Sequence, residues 1–234
     1  MEEKKKGVWI TGAGSGIGKA IALEFVKNDI ITIASGRRKE LLDKLKLENK
    51  KNIKPFPLDV TDTAAVKRIS NKIFNAFDIN CLINNAGITS FSSAEEDSMK
   101  TINKIIQTNL MGAIAAIKSV LPYFKKREGG IIINILSVAA NTIFKNSSAY
   151  SASKAGLLAY TNVLREEVRE DNIKVINLLP GATKTPIWQN EMLEKFSSKM
   201  MNPEDMAKFI YQLYSLESNL VPEEITIRPV TGDL

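Results

Sequence analysis

A chain of 234 residues with 44% hydrophobic side chains is long enough to close one sizeable core and too apolar for disorder. Its net charge of +6 arises from 32 Lys and Arg scattered among 26 Asp and Glu, so no basic stripe of the kind that tracks nucleic acid emerges. With no run of about 20 apolar residues, a lone Cys81 that cannot form an internal disulfide, and a charged start that lacks the pattern of a signal peptide, a cytoplasmic protein binding neither nucleic acid nor membrane is expected.

The first element is the apolar run Val8 to Thr11, which leads into Thr11-Gly12-Ala13-Gly14-Ser15-Gly16-Ile17-Gly18; helical periodicity starts near Ile17. Glycines let a backbone approach a ligand closely, and a helix N-terminus offers unpaired N–H groups and a positive dipole end to a phosphate. The spacing is TGxxxGxG, not GxGxxG. Such a turn serves either as a tight strand-to-helix connection or as a pyrophosphate cradle. Further runs rich in Val and Ile follow at Ile30 to Ala34, Ile53 to Leu58, Ile79 to Ile83, Ile131 to Leu136, Lys174 to Leu179 and Ile225 to Ile227, with helical segments between them. Strands without polar alternation belong in a sheet covered on both faces, and their alternation with helices implies right-handed crossovers. The expected fold is α/β, a doubly wound parallel sheet forming one domain over residues 1–234.

Between the fifth and sixth runs stands Tyr150-Ser151-Ala152-Ser153-Lys154. A spacing of four puts phenol and ammonium on one helix face. The chain has no histidine, so proton transfer must use another group. A tyrosine holds its proton up to a pKa of about 10, and a neighbouring cation that favours the phenolate draws it towards working pH. A Tyr–Lys pair alone is more often a surface contact, but here a glycine-rich turn and Ser137 accompany it.

With these residues in view the chain resembles the short-chain dehydrogenase/reductase family over nearly its whole length. The resemblance rests on the glycine-rich turn, Leu58-Asp59-Val60, Asn84-Asn85-Ala86-Gly87, Asn109, Ser137, Tyr150 with Lys154, and Pro180-Gly181 followed by Thr185. It implies a Rossmann-type sheet of about seven strands in three α/β/α layers. It also implies hydride exchange between a nicotinamide cofactor and a small-molecule carbonyl or alcohol. In that reading Tyr150 is the general acid or base and Lys154 holds the ribose and lowers the tyrosine pKa. Ser137 polarises the carbonyl, and Asn109 holds a water that relays protons to Lys154. Ser137 and Asn109 also admit plainer roles, as a turn cap and as a partner for backbone groups.

The resemblance further assigns cofactor contacts to Gly12, Ser15, Gly16, Ile17, Gly18, Asp59, Val60, Asn85, Ala86, Gly87, Tyr150, Lys154, Pro180, Gly181, Thr183 and Thr185, with a structural role for Asn84 to Gly87 as an equal alternative. No metal site is expected. An NAD-specific site puts a carboxylate at the end of the second strand, whereas an arginine accommodates a 2′-phosphate. Here the stretch is Ser35-Gly36-Arg37-Arg38, so NADP(H) is favoured over NAD(H), with Arg37 the principal contact and Arg38 either helping or facing solvent.

Two positions depart from the family pattern: Leu136 stands where many relatives have serine, and Thr183 replaces a branched apolar residue. Residues 186–201, with Trp188, Met192 and Phe196, form either a substrate-covering lid or a plain amphipathic helix. Small residues at Ala152, Ala155, Gly156 and Ala159, and at Gly112, Ala113, Ala115 and Ala116, predict a homodimer or homotetramer, unless these stripes face the protein's own sheet. The functional reading is an NADPH-dependent carbonyl reductase. Its alternatives are a 3-oxoacyl-carrier-protein reductase and a non-catalytic NADP(H)-binding regulator.

Overall fold

Seven parallel strands lie in the order β3-β2-β1-β4-β5-β6-β7 in this computed structural model, which describes residues 6–216 and 219–233. They are β1 Lys6–Thr11, β2 Ile31–Gly36, β3 Ile53–Pro57, β4 Asp78–Asn84, β5 Gly130–Ile135, β6 Ile173–Pro180 and β7 Glu224–Ile227. Each lies within two residues of the apolar run that predicts it. The helices are α1 Gly16–Lys27, α2 Lys39–Glu48, α3 Thr63–Ala76, α4 Met99–Ile106, α5 Gly112–Lys126, α6 Ser148–Glu167, α7 Asn190–Phe196 and α8 Pro203–Tyr214. Because β1 pairs with β2 on one side and β4 on the other, the strand order reverses there and a crevice opens beyond the strand ends, the usual ligand position in open α/β sheets.

Apolar side chains fill both faces of the sheet. One layer joins Val8, Ile10 and Ile83 to Ile21 and Phe25 of α1 and Ile210 of α8; the other joins Trp9, Leu82 and Val175 to Ile73 of α3, Val120 of α5 and Leu164 of α6. The Trp9 indole is wholly buried and satisfied, its Nε1–H donating to Ser35 Oγ at 2.9 Å. The continuous helical stretch Met99–Lys126 has the length and apolarity to cross a membrane. Its residues Ile105, Ala116, Ile117, Val120 and Phe124 are fully buried in the fold, which accounts for that apolarity.

Three asparagines interrupt the apolar strands at neighbouring register positions, Asn84 beside Asn134 and Asn134 beside Asn177. These buried amides pair with one another: Asn84 Nδ2 donates to Asn134 Oδ1 at 3.0 Å and Asn134 Nδ2 to Asn177 Oδ1 at 3.0 Å, while Asn84 Oδ1 is left without a partner among the described residues. Asn177 continues the chain onto α6, accepting from Thr161 Oγ1 at 3.0 Å and donating to Asn162 Oδ1 at 3.1 Å. The helix bearing Tyr150 is thereby pinned to the middle of the sheet.

The predicted small-residue stripes divide. Gly112, Ala113 and Ala116 of α5 are buried in the protein's own packing, and a Cβ on Gly112 would lie 2.6 Å from Val60 Cγ2. Gly156 packs on Leu110, whereas Ala152 and Ala159 of α6 are exposed and are joined on that face by Val163, 61% exposed. Helical periodicity gives the stripe but not its side, and for α5 the side is inward.

Candidate active site

Tyr150 stands in the first turn of α6, and Lys154 one turn later points back under the end of β5, where Nζ donates to Ile135 O at 2.7 Å. Lys154 is 4% exposed, and its Nζ lies 5.7 Å from the centre of the Tyr150 ring. Ser137 directly follows Leu136 at the end of β5. Its Oγ accepts from Ala139 N at 3.1 Å, capping a short turn, and its side chain lies near enough to the Tyr150 phenol to favour the phenolate. The capping reading of Ser137 is the one this geometry displays.

Electrostatics here differ from the expectation that Lys154 draws the tyrosine down. Burial pushes the Tyr150 phenol above its ordinary value, with the neighbouring Ser137 side chain acting the other way. Burial also pulls the Lys154 ammonium down to about 8. Enclosure penalises both charged forms, phenolate and ammonium alike.

Asn109 lies in a one-turn π segment, Gln107–Met111, between α4 and α5. Its Oδ1 accepts from Ile88 N at 2.9 Å, and its Nδ2 donates to Ile88 O at 2.9 Å and to Ser153 Oγ at 3.0 Å. Both amide protons are thus committed to bracing the loop after β4 against α6. A water held by Asn109 has to bind one of its oxygens. The braced loop passes directly over the lysine, since a Cβ on Gly87 would lie 3.5 Å from Asn109 Oδ1 and 3.7 Å from Lys154 Nζ.

On the other side of the crevice the glycine-rich turn is pressed against the same loop. Gly12 has φ +68°, and its absent Cβ would meet Ala86 Cα at 2.8 Å. Thr11 Oγ1 accepts from the backbone N–H of Asn85 at 3.1 Å and of Ala86 at 3.2 Å, while Asn85 Nδ2 donates to Gly12 O at 3.1 Å. A Cβ on Gly18 would collide with Asn85 Nδ2 and Gly12 O, so α1 sits as close to the turn as glycine permits. For Asn84 and Asn85 the structural role is the one the geometry displays.

The start of α1 suits an anion. Ser15 occupies the N-cap without spending its side chain on the helix, and no acid lies in the first turn. Instead its hydroxyl accepts from Arg38 Nη2 at 3.2 Å, bringing a guanidinium to the helix N-terminus. Arg37 and Arg38 are both exposed, with Gly36 at the strand end, so no carboxylate faces this place from β2. Ile17 is half-buried against the core. Asp59 is exposed and holds its own turn, accepting from Thr61 N at 3.0 Å, while Val60 is buried against Gly112.

The third wall comes from the segment after β6. Gly181 N–H donates to Ile227 O at 2.7 Å, fixing Pro180-Gly181 beside β7. Thr183 forms an isolated parallel bridge with Met201, and buried Thr185 reaches to 3.1 Å from where a Cβ on Gly16 would stand. Residues 186–201 therefore arch between two fixed ends, and α7 within them has no buried residue. Sequence reasoning missed Thr11 as a latch, Ser153 as the link from Asn109 to Tyr150 O at 2.7 Å, and Phe91, a lone aromatic in a serine-rich loop that stacks on Trp188. A nicotinamide dinucleotide fits the crevice: glycine cradle, acid-free helix end with Arg38, and Lys154 below Gly87.

Comparison with known proteins agrees. The profile of the short chain dehydrogenase family matches residues 6–195. Sepiapterin reductase of Chlorobaculum tepidum is 33% identical over 96% of each chain. The 3-oxoacyl-[acyl-carrier-protein] reductase of Thermotoga maritima is 32% identical over 92% of this chain and 93% of its own. The solved structure of ElxO with NADP bound superposes with a TM-score of 0.87 at 32% identity, covering 97% of this chain and 98% of the other.

Proposed function

The chain belongs to the short-chain dehydrogenase/reductase family and is an NAD(P)-dependent oxidoreductase; from that premise we propose that it is an NADPH-dependent carbonyl reductase. The observation that carries this is the Tyr150 ring with the buried Lys154 Nζ 5.7 Å from its centre, beside Ser137 at the end of β5. A reduced nicotinamide dinucleotide, held by the glycine-rich turn, Arg38 and Lys154, would supply hydride to the carbonyl carbon. Tyr150 gives its phenolic proton to the carbonyl oxygen, and Ser137 polarises that oxygen with its O–H. Lys154, held by Ile135 O, places positive charge beside the phenolate left behind and offsets the penalty that burial imposes on it. Asn109 and Ser153 keep the loop and α6 at fixed separation while this happens.

The preference for NADPH rests on Gly36 in place of a strand-end carboxylate and on two arginines. Arg37 would hold the 2′-phosphate, with Arg38, which already reaches Ser15, helping. The exposed face of α6 carrying Ala152, Ala159 and Val163 is the surface for a homodimer or a tetramer built from such dimers. The test is oxidation of NADPH followed by its absorbance, with purified protein and a panel of ketones, quinones and acetoacetyl thioesters. Turnover confined to the thioesters shifts the reading to a 3-oxoacyl-carrier-protein reductase. Tight NADPH binding with no turnover across the panel shifts it to a regulator.

A further inference from the structure

Ser153 stands in the chain between Tyr150 and Lys154, is wholly buried, and contributes no atom to the reaction. A serine inside a helix commonly turns its hydroxyl back on the carbonyl three or four residues earlier, and here Ser153 Oγ donates to Tyr150 O at 2.7 Å. That bond is local. The second is not, for Asn109 Nδ2, 44 residues away in the chain, donates to the same hydroxyl oxygen at 3.0 Å.

Donor counting fixes the direction of both bonds. A hydroxyl has one proton and a carbonyl oxygen only accepts, so the Ser153 proton goes to Tyr150 O and its oxygen is left to accept. Asn109 must therefore present its NH2 to α6 and its Oδ1 to the far side, where Ile88 N–H donates to it at 2.9 Å. The other amide proton goes to Ile88 O at 2.9 Å. Ile88 directly follows Gly87, where a Cβ would lie 3.5 Å from Asn109 Oδ1 and 3.7 Å from Lys154 Nζ. A chain of hydrogen bonds thus runs from the loop over the lysine, through Asn109 and Ser153, to the backbone carbonyl of the tyrosine. In an α-helix that carbonyl also accepts from the N–H four residues on, here that of Lys154. Without the serine hydroxyl the helix keeps its own bonds, but the chain from the loop is cut at Asn109.

We propose that Ser153 is a positioning residue: acting through Asn109, it sets where Tyr150 and Lys154 stand relative to the loop that crosses the lysine. This deepens the reductase reading and rests on it. Rates respond steeply to such placement, since an error of about 1 Å can lower them about a hundredfold. The test is steady-state kinetics of the full chain at saturating NADPH, on whichever carbonyl of the panel above turns over fastest. Ser153→Ala deletes only the hydroxyl and suits a helix. Its kcat is expected to fall about tenfold, the scale of one lost hydrogen bond, while KM and NADPH affinity each stay within about threefold. Asn109→Ala and the double variant complete a cycle, in which Ser153→Ala adds less than about twofold to the loss from Asn109→Ala, whereas independent roles multiply. Should Asn109→Ala no longer bind NADPH, Ser153→Thr, whose hydroxyl can make the same back-bond, takes its place. A kcat above that of Ser153→Ala then upholds the proposal, and one at or below it overturns it. A loss confined to KM, or losses that multiply in the double variant, also overturn it. Wild-type turnover that Ser153→Ala leaves intact overturns the positioning role alone, whereas a wild type that reduces no carbonyl of the panel overturns the reductase reading and this role with it.

Discussion

Lys154→Met removes a buried ammonium and keeps a chain of similar shape, which makes it a direct probe of what the site costs the fold. Burial lowers the Lys154 pKa from 10.5 to about 8; at 1.36 kcal/mol per unit, holding that charge inside destabilises the folded state by about 3 kcal/mol at neutral pH. The substitution also leaves Ile135 O without its partner, a loss of about 1–3 kcal/mol, so the net change near neutrality is small and decides little. The pH dependence decides. Between the folded and unfolded pKa values the unfolded chain binds a proton that the folded chain does not, so wild-type stability rises with pH through this window. The penalty is complete below the folded value of about 8 and gone above the unfolded value of 10.5. The Ile135 carbonyl does not titrate and cancels. Urea unfolding without cofactor, compared at about pH 7 and about pH 9.5, is expected to show wild type gaining about 2 kcal/mol on Lys154→Met. A difference that stays flat within about 0.5 kcal/mol would falsify the claim that the ammonium is held at a desolvation cost.

Tyr150→Phe deletes only the hydroxyl, so turnover should fall at least about a hundredfold, the scale of general-acid catalysis, with NADPH affinity by fluorescence changed less than about threefold; near-normal turnover sinks the mechanism. Arg37→Asp and Arg38→Ala should each weaken NADPH relative to NADH in equilibrium titrations, because each removes a cation from a place with no strand-end carboxylate. A wild type that already prefers NADH contradicts that assignment. Ala159→Arg alters an exposed position on α6 and should give a smaller particle by light scattering with melting temperature preserved. A wild type monomeric at micromolar concentration refutes the assembly, not the chemistry.

Strand positions were legible because buried parallel strands read as apolar runs, and the order of strand and helix admits few topologies. The glycine-rich turn and the Tyr150, Lys154 pair were legible because their geometry is local: a turn at positive φ, and a spacing of four on one helix. What the sequence left open is what depends on which face meets which neighbour. The face of α5 that carries Gly112 and Ala116 turned out to be inward, since a 3.6-residue period fixes a stripe and not its direction. The asparagine ladder, the Asn109 brace and the Phe91–Trp188 stack join residues that lie far apart in the chain, and no local pattern pairs them. Protonation behaviour belongs with these. The sequence offers a cation beside a phenol, but the tertiary enclosure, which strips water from both, sets the direction in which each moves.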